Sequence, residues 1–411
     1  LKLDASAFTG NLGLDITSAL GGFQDPSNSG ATVHTVVTGG TGDDTFYARA
    51  NVAATSATNR DTIDAGEGTN KLVTTAGVAN NASISNVQTL ELRQQAGAQT
   101  VDFDAFDADL TKVVMRDETS DNAAAAFNLV DLGADLASNG NLVLRHSITE
   151  TVAGSDAVIN ATVKDATGSS DTVAITVEND LNTGTTFDYT LNATGTDTDN
   201  VATGAANDAD KVENISIADN DTESNIVTLT QVGEHTGTVT LTGGQDAQTF
   251  TVASSLVAGT VDAEAQKSDL RLTVGSATAT TKVTQTIKLG EGDDILTFQN
   301  IDDFQAADSI TDAGGSDTVR AAFSEDSNLS LANIENLHII ANENVELGMA
   351  NAGVDKLVIL ADIAADGDND NSPATAEPFN IAGVTTSDII TLSDTNLTEL
   401  NFSADLDNDD S

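Results

Sequence analysis

The sequence predicts an all-β protein built from irregular parallel β-solenoid or β-roll modules. Three observations favour this class. Gly/Asp-rich nonapeptides occur twice, each followed by a weaker copy. Short apolar strands lie between such turns, in coils of about 20–25 residues that bury an apolar face only by stacking on a neighbouring coil. No segment shows the 3.6-residue period of a long helix.

The first nonapeptide is the clearest motif in the chain. Residues 39–47 read GGTGDDTFY and match G-G-x-G-x-D-x-U-x, where U is a large apolar residue, at every defined position. Residues 289–297 read LGEGDDILT and differ only at the first position. Weaker copies follow at 65–73 and 312–319. Two pairs at similar spacing are unlikely to arise by chance in a Gly/Asp-rich chain.

Calcium is the ion that these turns predict. Glycine permits tight turns with positive φ that expose backbone carbonyls, and aspartate supplies the hard anionic oxygen that Ca²⁺ prefers. We expect several ions, one between the adjacent turns of each pair, because neighbouring carboxylates repel without a cation. Gly/Asp turns without metal are the alternative. The expected ligands are Gly42, Asp43, Asp44, Asp64 and Gly66 in the first pair, and Gly292, Asp293, Asp294, Asp312 and Asp317 in the second.

A second kind of acidic loop lies at residues 366–377. Asp366, Asp368, Asp370 and Glu377 occupy positions 1, 3, 5 and 12, the ligand spacing of an EF-hand loop. Pro373 and the lack of flanking helices argue against a true EF-hand, so the prediction is a free-standing calcium loop. A solvated loop tip is the alternative. The acidic run at 219–223 is interpreted as a plain turn.

Alternating apolar residues predict the strands in order. They lie near residues 12–17, 33–37, 84–92, 100–103, 110–115, 172–177, 226–230, 238–242, 331–339 and 354–359. One short helical turn is expected at 123–126. The middle of the chain is rich in Thr, which suits the solvent face of a sheet. An antiparallel β-sandwich is the alternative for that region, because short alternating strands suit both architectures.

Near-constant offsets indicate a duplicated module. The Gly-Asp-Asp steps are 250 residues apart (Asp294 − Asp44), and the following I-x-N segments are 247 apart (Asn333 − Asn86). We therefore divide the chain into a first calcium-turn module (1–120), a Thr-rich β region (121–288) and a second calcium-turn module (289–411). The chain starts at Leu1 within a predicted strand, which suggests a piece of a longer protein.

Composition limits the partners. The 64 Asp+Glu against 16 Lys+Arg give a net charge of −48, which disfavours nucleic acid and anionic membrane surfaces and favours cations. The alternative is that the acidic composition reflects only a halophilic or soluble surface. Without cysteine the chain has no disulfide or thiolate metal site. No run approaches the roughly 20 apolar residues of a membrane span, so no membrane insertion is expected.

No catalytic constellation is visible. The four histidines, His34, His146, His235 and His338, lie in or beside predicted strands without H-x-x-x-H or G-x-S-x-G patterns. We expect each to be a surface or half-buried strand residue. The sequence therefore does not predict an enzyme.

The nonapeptides and the I-x-N-[VI]-[EQ]-x-L-x-[LI] strands after them resemble RTX-type secreted bacterial proteins, and more closely the surface-layer proteins of Gram-negative bacteria. The resemblance is specific over about 39–118 and 289–364, although the nonapeptides occur in pairs and not in tandem runs. It implies type I secretion to the cell surface and self-assembly into a calcium-dependent lattice or filament. Besides other copies of the chain, a cell-surface polysaccharide is the second partner expected. The alternative is a segment of a large RTX-type adhesin that binds sugar or a host surface. An enzyme of the RTX group is the third hypothesis.

Overall fold

The computed structural model of the chain confirms the predicted all-β class and the parallel β-solenoid architecture. The described residues are 2–16, 23–24, 32–49, 52, 54–56, 59–94, 98–117, 125–146, 157–166, 170–179, 186–195, 212–230, 235–275, 283–323, 326–341, 346–352, 354, 356–360, 379–382, 389–393 and 400–403.

The chain divides into two compact units. Unit 1 is Leu1–Ser224 with Thr230–Val232, and unit 2 is Asn225–Leu229 with Gly233–Ser411. The division of the sequence at residues 120 and 288 stays a prediction.

The first twenty strands and two short helical turns are found along residues 2–219. The helical turns are α1 (Ala134–Ser138) and a 3₁₀ turn (Phe103–Ala105). The strands are β1 (Lys2–Asp4), β2 (Gly13–Asp15), β3 (Phe23–Gln24), β4 (Thr32–Val33), β5 (Val36–Thr38), β6 (Thr45–Ala48), β7 (Ala54–Ser56), β8 (Asn59–Arg60), β9 (Thr62–Asp64), β10 (Lys71–Thr74), β11 (Ser83–Ser85), β12 (Thr89–Gln94), β13 (Gln99–Asp102), β14 (Lys112–Asp117), β15 (Ala125–Leu132), β16 (Leu142–His146), β17 (Ala157–Val163), β18 (Thr172–Asn179), β19 (Phe187–Gly195) and β20 (Asn214–Asp219).

The remaining sixteen strands follow from residue 225 onward. They are β21 (Asn225–Thr230), β22 (His235–Gly243), β23 (Thr249–Val252), β24 (Ala258–Gln266), β25 (Asp269–Val274), β26 (Thr286–Lys288), β27 (Ile295–Ile301), β28 (Ser309–Thr311), β29 (Thr318–Phe323), β30 (Ser327–Ala332), β31 (Asn336–Ala341), β32 (Glu346–Ala352), β33 (Lys356–Leu360), β34 (Phe379–Ala382), β35 (Ile389–Ser393) and β36 (Leu400–Ser403).

Successive strands alternate between sheets, which is the winding of a solenoid. In unit 1 the strand orders are β2-β6-β10-β12-β14-β16-β18-β20, β1-β5-β9-β11 and β13-β15-β17-β19. In unit 2 the orders are β22-β24-β26-β28-β30-β32-β34-β36 and β21-β23-β25-β27-β29-β31-β33-β35. The pairs within these sheets are parallel, whereas β3 with β4 and β7 with β8 are small antiparallel hairpins.

The core is a set of in-register apolar ladders inside the coils. Every second side chain of a strand points inward, so β17 alternates between buried and half-buried residues along its length. In unit 1 one buried ladder runs through Phe46, Leu72, Leu90, Val113, Leu142, Ile175 and Ile217. In unit 2 another runs through Leu272, Leu296, Val319, Leu337 and Leu357.

Three sequence expectations need correction. The described middle strands pair in parallel, so the antiparallel sandwich is wrong there. Residues 125–126 begin β15 and not a helical turn, while residues 123–124 lie outside the described part. The short helix α1 was not predicted. Coil lengths vary more than expected, since bonded turn positions lie 18 to 32 residues apart.

Within the described residues there is no helix long and apolar enough to cross a membrane.

Candidate metal centre in the stacked turns

The nonapeptide glycines lie where consecutive coils touch. A Cβ on Gly292 would fall 2.6 Å from the backbone carbon and oxygen of Ser268, and one on Gly42 would fall 2.4 Å from Gly10 O. Real Cβ atoms do not approach backbone this closely, so any larger residue would push the coils apart. Coil stacking therefore explains these glycines whether or not a metal is present.

In unit 2 the turns are joined by a ladder of carboxylates. The Asp293 N–H donates to Asp269 Oδ1 at 3.0 Å, and the Asp294 N–H donates to Asp317 Oδ1 at 2.8 Å. The Asp317 N–H donates in turn to Glu335 Oε2 at 2.8 Å. Each coil thus offers a backbone donor to an acidic side chain of a neighbouring coil, which satisfies buried N–H groups between the strands.

Three carboxylates of this ladder region converge. Ligand oxygens of Asp294, Asp312 and Asp317 lie within 4.8 Å of one another, and the three residues are 0, 7 and 0 % exposed. Both Asp294 oxygens accept backbone N–H groups, from Leu270 at 2.7 Å and Gly290 at 2.9 Å. Asp312 Oδ1, Asp312 Oδ2 and Asp317 Oδ2 find no well-placed hydrogen-bond donor. The nearby N–H groups of Ala313 and Gly314 donate to Gly290 O, and the Asp312 and Asp317 carboxyls are close enough to share a proton. Buried anionic oxygens without donors are costly unless a proton or a cation neutralises them.

The pKa values of the group are raised accordingly. Burial, together with the charges of Asp312 and Asp294, raises the pKa of Asp317 to about 8. Burial raises the pKa of Asp294 to about 6 and also raises the pKa of Asp312. Around neutral pH the triad therefore retains a proton when no cation is bound. The converging carboxylate oxygens suit a hard cation such as Ca²⁺, which would supply the positive charge that the buried group lacks.

Unit 1 contains the same corner with amides in place of acids. The Asp43 N–H donates to Asn11 Oδ1 at 3.0 Å and the Asp44 N–H donates to Asn70 Oδ1 at 2.8 Å. The Asn70 N–H donates to Gln88 Oε1 at 2.6 Å. These amides occupy the positions of the unit 2 acids Asp269, Asp317 and Glu335.

The amides also supply donors that the acids cannot. Asn70 Nδ2 donates to Asn86 O at 2.9 Å and Gly66 O at 3.2 Å. Asn86 Nδ2 donates to Asp64 Oδ1 at 2.6 Å, whereas the Asn333 amide in unit 2 donates to the backbone oxygen of Asp312 at 3.0 Å. The corner of unit 1 is thus satisfied by hydrogen bonds, and that of unit 2 retains carboxylate oxygens that lack donors.

The predicted site residues therefore have different surroundings. The structure brings together Asp294, Asp312 and Asp317 of the second pair, while Asp293 Oδ1 accepts the Ser316 N–H at 2.9 Å and Gly292 packs on the next coil.

In the first pair, the Asp44 oxygens accept the N–H groups of Leu12 at 2.8 Å and Gly40 at 3.1 Å. Asp43 Oδ1 accepts the Thr69 N–H at 2.7 Å. None of the five first-pair residues belongs to a convergent acidic group among the described residues, and their role as ligands stays a prediction. Asp366, Asp368, Asp370 and Glu377 lie outside the described residues.

A second acidic group lies on the surface of unit 1. Asp102, Asp104 and Asp131 also bring ligand oxygens within 4.8 Å, but all three are at least partly exposed. Lys164 Nζ lies 2.6 Å from Asp104 Oδ1. Since a lysine already supplies positive charge there, this group is a weaker metal candidate than the buried triad.

Sequence reasoning missed two members of the ladder, Asp269 and Glu335. Glu335 is the acid of the I-x-N-I-E-x-L segment, and Asp269 precedes Asp293 by 24 residues, one coil. The asparagines of the two segments, Asn86 and Asn333, both have φ 59°, a left-handed conformation that asparagine tolerates. The segment is therefore a corner motif: asparagine makes the bend and the acid or amide after it accepts an N–H from the preceding coil.

Two other expectations are revised. His146 is fully buried and stacks on Phe187 with ring centroids 4.4 Å apart, so the expected strand-surface position is wrong for this histidine. The run at 219–223 does form bends, in which the Glu223 N–H donates to Asp221 Oδ1 at 2.9 Å. Its acids are nevertheless buried.

Comparison of the chain with protein-family models, with curated proteins and with solved structures finds no match.

Proposed function

We propose that this chain is an extracellular structural protein whose β-solenoid is stabilised by calcium and self-assembles into a surface layer or filament. The observation that carries the proposal is the buried triad of Asp294, Asp312 and Asp317, in which three carboxylate oxygens find no well-placed hydrogen-bond donor. A bound cation supplies the missing positive charge.

The ion would be held by Asp312 and Asp317, with Asp294 fixing the corner beside them through its two backbone hydrogen bonds. Ca²⁺ is favoured over Mg²⁺ because it accepts irregular sets of oxygen ligands, whereas Mg²⁺ demands near-ideal octahedral geometry and loses water reluctantly. Neutralising the triad would lock two consecutive coils of unit 2 together. Folding would then be coupled to the calcium concentration of the surroundings.

The proposed role is not catalytic. The three carboxylates are at most 7 % exposed, so a substrate could not reach them. The charge of −48 supports an environment rich in cations, because such a chain resists compaction and self-contact until the charge is screened or neutralised.

Thermal unfolding and light scattering during a Ca²⁺ titration, with Mg²⁺ in parallel, test this proposal. We expect a higher melting temperature and ordered growth of particles with Ca²⁺ only. Stabilisation without growth would favour a calcium-dependent adhesin segment instead. An unchanged melting temperature at millimolar Ca²⁺ would overturn the calcium centre.

A further inference from the structure

One face of unit 2 carries an unusual set of side chains for so acidic a chain. On the odd-numbered sheet, inward residues are apolar and the outward residues form two rows that run across the strands. The first row is Arg271, Ile295, Thr318, Asn336 and Lys356, and the second is Thr273, Thr297, Arg320, His338 and Val358, of which Val358 is buried. We call the patch formed by Arg271, Arg320, His338 and Lys356 the cationic face.

Among the described outward residues of β25, β27, β29, β31 and β33, Asp269 of β25 is the one acid, and its Oδ1 already accepts the Asp293 N–H. Arg320 is exposed and the other three members are half-buried. Arg271, Arg320 and Lys356 form no ion pair with a described acid, whereas Lys288 of the same unit contacts both Asp262 and Glu264. Four strand steps separate Arg271 from Lys356, so the patch extends about 19 Å along the stack.

The surroundings of His338 agree with an excess of positive charge. Burial lowers the pKa of His338, and the nearby charges of Arg320 and Lys356 lower it further. In a chain with 64 acidic and 16 basic residues, three basic side chains and a histidine on one face stand out. Such a patch attracts an anionic surface and disfavours other contacts.

An anionic surface occurs on unit 1. Asp43, Glu67, Asp107 and Asp109 are exposed at one corner of three coils in a stack, and we call them the acidic edge. The coil between Glu67 and Asp107 carries Asn86 at this corner. Backbone bonds align that corner, since the Glu67 N–H donates to Gly40 O at 2.9 Å and the Asp107 N–H donates to Ile84 O at 3.1 Å. The acidic edge and the cationic face both repeat at the spacing of stacked coils, about 4.8 Å.

We propose that the cationic face of unit 2 binds the acidic edge of unit 1 in a second copy of the chain. The inference rests on the proposed self-assembly and specifies its contact. Because two different surfaces meet, the contact is heterologous, and a heterologous contact that does not close into a ring builds an open filament or sheet. A second copy is favoured over another polyanion because both surfaces belong to one chain and share one coil repeat.

A charge swap tests this contact. The double variant R320E/K356E reverses the cationic face, and E67K/D109K reverses the acidic edge without altering a side chain that caps another turn. In Ca²⁺, each variant alone should associate about tenfold more weakly than the unmodified chain or worse, measured by sedimentation velocity. An equimolar mixture should regain growth, because each reversed surface then meets a complementary one. The variant K2E/K267E changes two exposed lysines elsewhere and should assemble normally.

The outcomes separate this contact from the proposed function. If the unmodified chain does not grow in Ca²⁺, the self-assembly proposal and the contact both fail. If it grows and R320E/K356E grows equally well, or if the mixture stays dispersed, only the contact fails. If R320E/K356E assembles normally but loses retention on immobilised alginate, the face belongs to an anionic polysaccharide and the second-copy assignment is overturned. Circular dichroism and melting temperature check that both variants fold.

Discussion

The backbone N–H of Asp294 donates a hydrogen bond of 2.8 Å to Asp317 Oδ1, while carboxylate oxygens of the two residues lie within 4.8 Å of each other. The same corner in unit 1 pairs the Asp44 N–H with Asn70 Oδ1 at 2.8 Å. The two corners therefore keep one backbone geometry and differ in charge. That difference separates a turn that hydrogen bonds satisfy from a turn that retains buried carboxylates.

Replacing Asp317 with asparagine should make the unit 2 corner independent of calcium. The amide oxygen of Asp317→Asn can still accept the Asp294 N–H, as Asn70 does for Asp44, and the buried negative charge is removed. Without Ca²⁺ we expect a gain of about 2 kcal/mol in the free energy of unfolding, and we expect the added stabilisation by Ca²⁺ to be lost. Thermal unfolding with and without Ca²⁺ measures both effects.

The matched control for that variant is Asp246→Asn, which changes one exposed acid of the same unit and should leave the calcium response intact. A Ca²⁺-dependent rise in melting temperature that survives in Asp317→Asn would contradict the assignment of the centre.

The reverse substitution, Asn70→Asp, should create the missing charge in unit 1. Asn70 Nδ2 donates to three carbonyls, Asn86 O, Gly66 O and Glu67 O. A carboxylate there would face those carbonyls and the buried Asp44. We expect a loss of about 3 kcal/mol without Ca²⁺, partly recovered when Ca²⁺ is added.

Asn11→Asp is the control for Asn70→Asp, because Asn11 is exposed at the same corner and its Oδ1 accepts the Asp43 N–H as Asp269 does for Asp293. Asn11→Asp should lower the free energy of unfolding only slightly. Equal destabilisation by the two variants would show that net charge, and not the buried position, determines the loss.

The raised pKa values predict how stability depends on pH. Between the ordinary value of 3.8 and the folded-state pKa of about 8 for Asp317, the folded chain holds more protons than the unfolded chain. Its stability therefore falls as pH rises through this window. In the absence of Ca²⁺ the melting temperature should be lower at pH 8 than at pH 5. Added Ca²⁺ should raise it more at pH 8, since ionised carboxylates bind the ion without first losing a proton. A larger calcium effect at pH 5 would contradict this.

The fold could be predicted from sequence because its signals are local. Gly42 and Gly292 stand where only glycine lets coils touch, and alternation along strands such as β17 gives the inward face. Asn70 and Asp317 both stand at the aspartate position of the weaker nonapeptide copies, so the difference in charge is visible in the sequence. Which of the corner oxygens find donors could not be predicted, because that depends on how stacking aligns coils of different length. The cationic face could not be predicted from the sequence for the same reason. Arg271, Arg320 and Lys356 come from different coils, and strand register alone brings them together.

Substituting Gly292 with alanine should separate the role of the glycine in packing from any role in metal binding. The new Cβ would lie 2.6 Å from backbone atoms of Ser268, which no rotamer change relieves. We expect a loss of about 2–4 kcal/mol that is the same with and without Ca²⁺. Gly13→Ala, where a Cβ meets nothing within 4 Å, is the control and should be nearly neutral. A loss seen only with Ca²⁺ would mean that the glycine acts through the ion.

Removing the hydroxyl of Tyr189 should stabilise unit 1. Tyr189 is fully buried in the core, and its hydroxyl makes no hydrogen bond. Burial, with the charges of Asp219 and Asp221, raises its pKa well above the ordinary value of 10.0, so the group is neutral and only its polar oxygen is unsatisfied. Because a buried polar group without a partner costs about 1–3 kcal/mol, we expect Tyr189→Phe to raise the free energy of unfolding by about 1 kcal/mol.

Tyr47→Phe removes a hydroxyl from a side chain that is 38 % exposed and should change nothing measurable. Chemical denaturation of the two variants side by side gives the difference. A loss of stability in Tyr189→Phe would mean that the hydroxyl has a hydrogen-bond partner in solution. Asp219 and Asp221, the buried acids near Tyr189, would then be the first candidates to accept a hydrogen bond from the hydroxyl.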